Sequence, residues 1–443
     1  MTLHTFRAED AAALAGPPWL GDRRAASHAA FASSELPKES EEVWRYTPID
    51  SLELDDFAPA LSAAGLPPAA SALADSVAAL LGPSSGHVVV HNGFPGPFAV
   101  TGDDPGFHFG GTGDVPDAQR MVGRVQEGGD ALVRLNDTFF PDAVLLDVPD
   151  GVVLPAPILI VHWSGQDETS GAPAPATFPR TSVRLGRGAQ ASVVEVYAGA
   201  PGTTRSLAVP VTELDAGDGA SLSYVSLQIL GGAAWSLARL AARGGRDSSL
   251  HTFTVGLGGD YDRVRADVAV EGKGAHSEIL SAYLGNGTQV RDIRTLQDHV
   301  APRTTSHLLC QGAVAGTSRS VYSGLIRVHR GAVRTDARQT NNNLVLDEGA
   351  HADSVPNLDI LENDVKCSHA STVGPIDEDQ RYYIESRGIA PDVAEGLIVQ
   401  GFFDAIIDRG PVPAITPLLR REVHERLGVA FGQRRTDPEA ARA

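Results

Sequence analysis

From about residue 180 to residue 376 the sequence alternates between short apolar runs and glycine-rich turns. Short runs bounded by glycine and proline are typical of β-strands. The dipeptide Gly-Ala recurs in this region, starting at positions 188, 219, 274, 312, 331 and 349. All but the first of the intervals between these positions lie near multiples of roughly 18 to 20 residues, a length close to that of known stacking repeats. The spacing therefore predicts a repeating unit of that length.

A repeat of this size in a β-patterned sequence favours a solenoid, in which each coil stacks on the previous one. Glycine suits the corners, where the φ angle can be positive, and alanine suits positions where coils stack closely. A β-sandwich is the alternative, because its hairpins also place a turn about every 8 to 12 residues. A solenoid leaves an open sheet edge, which requires a cap or a partner.

Composition limits the possible partners and compartments. The chain has 443 residues, a formal net charge of −19 and 21% charged residues. An acidic surface disfavours nucleic acid as the main partner, because phosphate binding requires a basic patch. The N-terminus lacks the pattern of a secretory signal, and no apolar run reaches the roughly 18 residues of a membrane span. We therefore expect a cytoplasmic protein that does not associate with membranes.

The two cysteines, Cys310 and Cys367, provide no disulfide framework and indicate a reducing compartment. They do not form a Cys-x-x-Cys pair. An iron–sulfur cluster usually requires about four thiolates, so the chain cannot hold a conventional cluster by itself.

Helical patterns flank the β region. Before it, helices are predicted at 10–14, 37–48, 70–81 and 130–139, with a proline- and alanine-rich linker at 58–70. After it, helices are predicted at 377–388, 392–409 and 415–427, with Gly388 as the stop of the first. The sequence therefore changes architecture near residue 377.

The stretch from Asn341 to Ile389 holds the densest set of possible metal ligands. Seven such side chains lie close together in sequence: His351, Asp353, Asp359, Glu362, Asp364, Cys367 and His369. If the segment is a strand, Cys367 and His369 share one face, and a thiolate beside an imidazole suits iron, zinc or copper. Two ligands do not complete a site, and from spacing alone a packed cysteine beside a hydrogen-bonded histidine is the simpler interpretation.

Motifs of common enzyme classes are absent from the sequence. There is no Gly-x-x-x-x-Gly-Lys-Ser/Thr loop and no Gly-x-Ser-x-Gly elbow, so we do not expect this chain to hydrolyse ATP. A carbohydrate-active solenoid enzyme would require clustered carboxylates, and usually an export signal, and neither is evident. Four histidines in the repeat region are candidates to line one face of the fold, or are simply unrelated surface residues: His299, His307, His329 and His351.

A longer run of residues is similar to a known family. It comprises Lys366-Cys-Ser-His-Ala-Ser-Thr-Val-Gly374, then Ile376-Asp-Glu-Asp-Gln380, Tyr382-Tyr383, Ser386-Arg-Gly-Ile389 and Gly401-Phe402. In this order the run resembles the SufB/SufD family of iron–sulfur cluster assembly proteins, and the resemblance covers about residues 180–425. The element Trp44-Arg-Tyr-Thr47 resembles the N-terminal helical region of that family.

The resemblance implies a mainly β fold, with a right-handed parallel β-helix body between N-terminal and C-terminal helical domains. The boundaries are then 1–140 for the N-terminal helical region with its linker, 141–376 for the β-helix core and 377–443 for the C-terminal helical domain. The resemblance further implies a non-enzymatic subunit of a cytosolic complex with a SufB-like paralogue and a SufC-like ATPase. A homodimer is the alternative for the isolated chain.

Two positions favour the SufD branch over a SufB-like scaffold. In SufB an essential cysteine stands at the position that matches Asn341, and a glutamate follows the histidine that matches His369, where this chain has Ala370. In SufD the matching histidine faces SufB, where iron or a nascent cluster is thought to sit. The resemblance therefore assigns a transient metal site, shared with the partner, to His369 and more weakly to Cys367.

The resemblance also assigns a docking surface for the ATPase to the helices after residue 377. The positions concerned are Tyr382, Tyr383, Arg387, Gly388, Ile389, Leu397, Gly401 and Phe402. We expect iron or a nascent iron–sulfur cluster as a transient ligand, and no cofactor held stably by this chain alone.

Overall fold

The computed structural model describes residues 4–62, 65–102, 106–126, 128–165, 173–200, 202 and 205–436, with side chains up to residue 430. The last part of the C-terminal helical domain predicted from the sequence, residues 437–443, lies outside this range. In the described residues no helix is both long and apolar enough to cross a membrane.

The N-terminal region, up to Phe139, forms short helices and strands, and its segment around Trp44 lies along one sheet of the β body. In chain order they are α1 Ala8–Ala13, α2 Pro18–Ala32, β1 Phe57–Pro59, α3 Pro68–Leu81, β2 Gly86–His91, β3 Phe94–Pro95, β4 Ala99–Val100, β5 His108–Gly110, α4 Ala118–Met121 and α5 Ala131–Phe139. The helices predicted at 70–81 and 130–139 are confirmed. The side chain of Asp130 caps α5 by accepting hydrogen bonds from the backbone N–H groups of Leu132 and Val133.

The prediction of a helix at 37–48 is wrong. This segment holds a short 3-10 turn at Glu42–Trp44, and Tyr46 has a φ angle of 69° that interrupts any helix. The predicted linker at 58–70 begins within β1, which pairs in parallel with a later strand, and ends within α3.

The body of the molecule consists of the strands from β6 to β23. They are β6 Val144–Val148, β7 Ile158–Ser164, β8 Ala174–Thr177, β9 Arg180–Leu185, β10 Gln190–Gly199, β11 Ser206–Ala208, β12 Val211–Ala216, β13 Ser221–Ile229, β14 Ala234–Gly244, β15 Ser249–Gly256, β16 Tyr261–Val270, β17 His276–Gly285, β18 Val290–His299, β19 Thr305–Val314, β20 Arg319–Val328, β21 Asp336–Val345, β22 His351–Ile360 and β23 Lys366–Gly374.

Apart from β8 and β11, which with β1 form a side branch of the first sheet, these strands alternate between two sheets. Sheet I has the order β22-β20-β18-β16-β14-β12-β9-β6-β5, and sheet II has the order β23-β21-β19-β17-β15-β13-β10-β7-β2-β3. From β6 and β7 onward neighbouring strands in both sheets are parallel, so the chain coils from one sheet to the other and back. The predicted mainly β solenoid is thus confirmed as a parallel β-solenoid of about seven turns, with helices at both termini.

The coil length predicted from the Gly-Ala spacing is wrong. Along sheet II the strands that begin at Gln190, Ser221, Ser249, His276, Thr305, Asp336 and Lys366 lie in register. One coil is therefore about 30 residues long, which is still within the usual range of solenoid repeats. Each coil has a strand in both sheets and hence more than one glycine corner. Gly188 and Gly219, both with a φ angle of 66°, occupy the same corner of consecutive coils.

Alternation along each strand separates the interior of the solenoid from its outer faces. One interior row of sheet II runs through Tyr224, Thr252, Ile279, Leu308 and Gln339, all of which are buried. The interior is mostly apolar in the early coils and becomes richer in amide and hydroxyl side chains in the last coils.

Three helices follow the last strand: α6 Glu378–Glu385, α7 Pro391–Ile407 and α8 Thr416–Thr436. The three predicted C-terminal helices are confirmed, and the third extends further than expected. Val399, Phe403 and Ile406 of α7 pack with Phe253 and Leu280 on the outer face of sheet II. The C-terminal helices therefore cover the middle coils and leave the last coil exposed.

Candidate metal and partner site at the open end of the solenoid

The last coil has no neighbour beyond it in the part of the chain that the structure describes. β22 pairs only with β20, and β23 pairs only with β21. Each strand therefore presents one row of unpaired backbone groups, as an uncapped sheet edge does. Its apolar side chains are exposed as well: Val355 at 37%, Leu358 at 39%, Ile360 at 39% and Val373 at 45%.

Cys367 and His369 lie on the inward-facing row of this last coil. In the register of β21 and β23, Cys367 lies opposite the buried Ala337 and His369 lies opposite the buried Gln339. No further coil of the described chain covers them, so Cys367 is half-buried and His369 is exposed. The structure thus confirms that the two side chains share one strand and one face, as their spacing predicted.

The thiol of Cys367 is not activated by its own surroundings. It packs against Ile326, Val328 and Ala337. Burial raises the pKa of the Cys367 thiol, and the charge of Asp336 raises it further. Metals bind the thiolate, so coordination by Cys367 requires the metal itself to displace the proton.

A polar layer lies immediately inside His369. Gln339 is 1% exposed, and neither of its side-chain polar atoms has a hydrogen-bond partner among the described residues. Its amide lies over Gly324, together with the hydroxyl of Tyr322, where a Cβ atom on residue 324 would come within 2.4 Å of both groups. The absence of a side chain at Gly324 makes room for this polar layer.

A chain of hydrogen bonds runs from the open end into the interior. The hydroxyl of Ser371 donates to that of Ser354 at 2.7 Å, and Ser354 donates to the side-chain carbonyl of Asn341 at 2.7 Å. That carbonyl also accepts from the amide of Asn343 at 2.7 Å, and the hydroxyl of Tyr283 donates to Asn343. Asn341 is fully buried and acts here as a hydrogen-bonding amide.

The structure does not bring the other five predicted ligands together with Cys367 and His369. Asp353 accepts hydrogen bonds from Arg319 at 2.6 and 3.0 Å and lies 3.2 Å from Nε2 of His351. Asp359, Glu362 and Asp364 contact Arg327, the backbone N–H of Gly331 and Arg334, respectively. Within the described ranges no three potential ligands converge on a common point. The thiol and the imidazole therefore form an incomplete site.

The predicted docking surface is largely exposed. Tyr382 and Tyr383 on α6 are 72% and 60% exposed. Arg387 lies over the ring of Tyr383, with its guanidinium carbon 5.0 Å from the ring centre, and donates to the hydroxyl at 3.1 Å. Gly388 ends this segment with a φ angle of 84°.

The remaining predicted docking residues lie on or next to α7. Leu397 is 52% exposed and Gly401 is exposed one turn later, so the two share a helix face with the exposed Val393. Ile389 and Phe402 are half-buried, and Phe402 packs against the core beneath α7. The exposed face of α6 and α7 combines two tyrosines with aliphatic side chains, a composition typical of protein interfaces.

The Trp44 element anchors the N-terminal region on sheet I. Trp44 is 3% exposed, and the guanidinium carbon of Arg263 lies 3.6 Å from its ring centre. Arg263 also donates to the carbonyl of Val43 at 2.8 Å, and Arg294 donates to the carbonyl of Arg45 at 2.8 Å. Sequence reasoning missed these arginines, because they belong to a distant part of the chain and only the coil register aligns them.

Sequence reasoning also missed a cluster of histidines. His299, His307, His329 and His351 do not line one face, because they belong to three different strands and a turn in two sheets. Instead, His307 lies near His251 and His276 on the outer face of sheet II. The ring centre of His276 is 5.7 Å from that of His251 and 6.0 Å from that of His307. The intervals of 25 and 31 residues between these histidines differ from each other, so coil length alone does not mark the grouping.

The fold defines a parallel β-solenoid protein with terminal helices, whose exposed last coil carries a cysteine and a histidine. The profile described as "SUF system FeS cluster assembly, SufBD core domain" matches residues 167–402, just over half of the chain. The chain belongs to the SufB/SufD family of iron–sulfur cluster assembly proteins.

Individual relatives support this membership. The chain is 26% identical to the iron–sulfur cluster assembly protein SufD of Escherichia coli over 405 residues, which covers 89% of both chains. It is 37% identical to an iron–sulfur cluster assembly SufBD family protein of Mycobacterium leprae over 193 residues, or 42% of this chain and 49% of the relative. It is also 28% identical to the chloroplastic protein ABCI7 of Arabidopsis thaliana over 353 residues, or 76% of this chain and 73% of the relative.

The alignments with the mycobacterial relatives span about half of the length of those relatives. Relatives named SufD occur in both Escherichia coli and Bacillus subtilis.

Proposed function

We propose that this chain is the SufD-like, non-ATPase subunit of a Suf assembly complex. It pairs with a SufB-like paralogue through the open end of the solenoid and binds a SufC-like ATPase through α6 and α7. His369, assisted by Cys367, contributes to a transient site for iron or a nascent cluster, which is the cargo of the complex. The SufD-named relatives in two bacteria support this choice of branch.

The observation that carries the proposal is the exposed interior of the last coil. Cys367, His369, Leu358 and Ile360 occupy positions that face the interior in every coil, yet in the last coil no further described strand covers them. Unpaired strand edges and exposed apolar side chains together favour pairing with another strand-bearing surface. Such a partner would cover the two ligands and supply the missing ones.

The side chain at position 341 supports a SufD-like role over that of a SufB-like scaffold. The amide of Asn341 is buried and accepts hydrogen bonds from Ser354 and Asn343. It offers no thiolate to a cluster or to sulfur transfer. The exposed Ala370 adds no carboxylate next to His369. These two positions would leave the scaffold chemistry to the paralogue.

Binding of a separate ATPase is compatible with the surface of this chain. The sequence has no phosphate-binding loop, so nucleotide hydrolysis must come from a partner. Tyr382, Tyr383 and Leu397 form an exposed face that the solenoid does not use. Since α7 packs on the middle coils and the paralogue would pair with β22 and β23, the two partners would use different surfaces of this chain.

The decisive experiment reconstitutes the complex with the SufB-like paralogue and the SufC-like ATPase from the same organism. His369→Ala is expected to form the complex normally but to retain less iron or cluster, measured by Mössbauer and absorption spectroscopy after anaerobic loading. Ser368→Ala is the control, because Ser368 is exposed on the same strand but points to the opposite face. Equal iron retention by both variants would contradict the assignment of His369.

A further inference from the structure

Four potential ligands lie together on the outer face of sheet II, away from the last coil. They are His251 on β15, His276 and Glu278 on β17, and His307 on β19. In the parallel register His251 lies opposite Glu278, and Glu278 lies opposite His307. His276 is two positions before Glu278 on the same face of β17. Three successive coils therefore supply one compact group, which we call the histidine ladder.

The separations within the ladder resemble those of a metal site. The ring centres of His251 and His276 are 5.7 Å apart with planes inclined at 60°, and those of His276 and His307 are 6.0 Å apart with planes inclined at 89°. Two imidazoles on one tetrahedral zinc ion have ring centres about 5.2 Å apart, given zinc–nitrogen bonds of about 2.0–2.1 Å. His251 and His307 lie on strands separated by β17, so both rings must turn toward His276 for the three imidazoles to share one ion.

The protonation state of His276 also suits a metal. Burial lowers the pKa of His276. Neutral imidazole is the form that binds metals. All three histidines are half-buried, so the rings are partly ordered by their surroundings and still reachable from solvent.

Glu278 is positioned to add a carboxylate oxygen. Its Oε1 accepts a hydrogen bond from Arg409 at 2.6 Å, which leaves Oε2 facing Nδ1 of His251 at 3.4 Å. The ion pair with Arg409 holds the carboxylate beside the imidazoles. Burial opposes ionisation of Glu278, but the hydrogen bond and charge of Arg409, together with those of His251, lower its pKa. The carboxylate is therefore charged at neutral pH.

We propose that His251, His276, His307 and Glu278 form a second metal site, which takes a divalent transition-metal ion such as Zn²⁺ or Fe²⁺. Three imidazoles and one carboxylate suit these ions and disfavour Ca²⁺ and Mg²⁺, which prefer oxygen ligands. The side chains of the ladder do not converge on one point in the described residues, so metal binding requires the rings to move closer together. It lies on the opposite face of sheet II from His369 and is at least two strands from β23, so the two sites are independent.

The test uses the full-length chain without an affinity tag and titrates it with Co²⁺, whose visible absorption reports nitrogen coordination. The starting protein carries Cys367→Ala and His369→Ala, so the open end contributes no ligand. We expect one Co²⁺ equivalent with a visible band, which Zn²⁺ displaces. Adding His276→Ala or His276→Gln should weaken binding at least tenfold.

His329→Ala provides the matched control, because His329 pairs with Asp298 at 2.8 Å and lies away from the ladder. It should leave Co²⁺ binding unchanged. Circular dichroism and thermal melting establish that each variant is folded, and the conservative His276→Gln change keeps the test valid if His276→Ala is unstable. Absence of the visible band in the starting protein, or equal affinity in the His276 and His329 variants, would overturn the proposal.

Discussion

His369 lies directly opposite Gln339 in the register of the last two strands of sheet II, and Gln339 is buried without a hydrogen-bond partner for its amide among the described residues. An unsatisfied buried amide costs about 1–3 kcal/mol, whereas an apolar group of similar shape avoids that cost. The polar interior next to His369 therefore lowers the stability of the isolated chain.

We therefore expect Gln339→Leu to leave the free energy of unfolding unchanged or to raise it by about 1 kcal/mol. Urea denaturation of the isolated chain measures this difference. Gln297→Leu is the comparison, because Gln297 is equally buried but its amide nitrogen donates to the hydroxyl of Ser306 at 2.6 Å. That change should lower stability by about 1 kcal/mol. A larger loss for Gln339→Leu than for Gln297→Leu would refute this account.

Charges placed on the open end should prevent pairing with the SufB-like paralogue. Leu358→Lys and Val373→Lys would each leave a desolvated ammonium group in the interface, and we expect at least a hundredfold loss of affinity, or about 2.7 kcal/mol. Analytical ultracentrifugation of the mixed subunits gives the affinity. Val153→Lys is the control, since Val153 is 55% exposed and far from the last coil. Undiminished pairing in both open-end variants would place the interface elsewhere.

A charge on the exposed face of α7 should weaken binding of the SufC-like ATPase. Leu397→Glu puts a charge at the centre of the exposed face of α7, and the expected loss of affinity for the SufC-like ATPase is at least tenfold, or about 1.4 kcal/mol. Isothermal titration calorimetry measures it. Val429→Glu on α8 serves as control, because Val429 is 55% exposed and is not part of that face. Similar affinities for the two variants would argue against docking through α7.

The contact between Trp44 and Arg263 should be a major contribution to stability. Trp44→Ala removes a buried indole and its cation–π contact, and we expect a loss of about 3–5 kcal/mol in the free energy of unfolding. Val43→Ala should cost less than about 1 kcal/mol, because Val43 is 46% exposed and contributes its backbone carbonyl to Arg263. Guanidinium denaturation distinguishes the two. Equal losses would show that Trp44 does not anchor the N-terminal region.

A buried carboxylate predicts how stability depends on pH. Glu195 is fully buried and accepts hydrogen bonds from Nε2 of His162 at 2.6 Å, from Thr181 at 2.6 Å and from Tyr224 at 2.5 Å. Burial opposes ionisation of Glu195, but these hydrogen bonds and the charge of His162 prevail and lower its pKa below the ordinary value. The stabilisation is therefore present above the unfolded pKa of about 4.3 and is lost as the pH falls through the lower folded pKa.

Glu195→Gln should accordingly destabilise the chain by about 3 kcal/mol at pH 7 and by less at pH 3. Denaturation at both pH values measures the difference. Asp150→Asn is the control, because Asp150 forms an exposed ion pair with Arg187 at 3.0 Å and its loss should leave stability nearly unchanged. A penalty for Glu195→Gln that grows toward acid pH would contradict the assigned direction of the pKa shift.

Local patterns were enough to locate many of the elements. The helices α3 and α5 were predicted near their observed bounds, α7 was predicted from its apolar spacing, and the shared face of Cys367 and His369 was predicted from the period of two. The length of a coil was not predictable in this way, because each coil has more than one glycine corner and Gly312 lies inside β19 rather than at a turn. An interval between Gly-Ala pairs therefore mixes distances within a coil with distances between coils.

Contacts between segments far apart in the chain could not be predicted from the sequence for a related reason. His276 reaches His251 and His307 only because neighbouring strands of sheet II lie side by side in register. Arg263 reaches Trp44 only because the N-terminal segment packs on sheet I. No local pattern marks an arginine as the partner of a tryptophan in such a remote segment. The resemblance to a family provided the fold class and the role proposed for His369, but neither of these contacts.

The number of coils determines how far the last histidine lies from the helices that cover the middle of the solenoid. Neighbouring strands are about 4.8 Å apart, so one coil more or fewer would shift His369 by that distance along the axis while leaving its local surroundings intact. A binding partner that contacts both the end and the helical side must therefore match this length as well as the chemistry. Insertion of a whole coil would then change the spacing between the two surfaces without altering the residues of either.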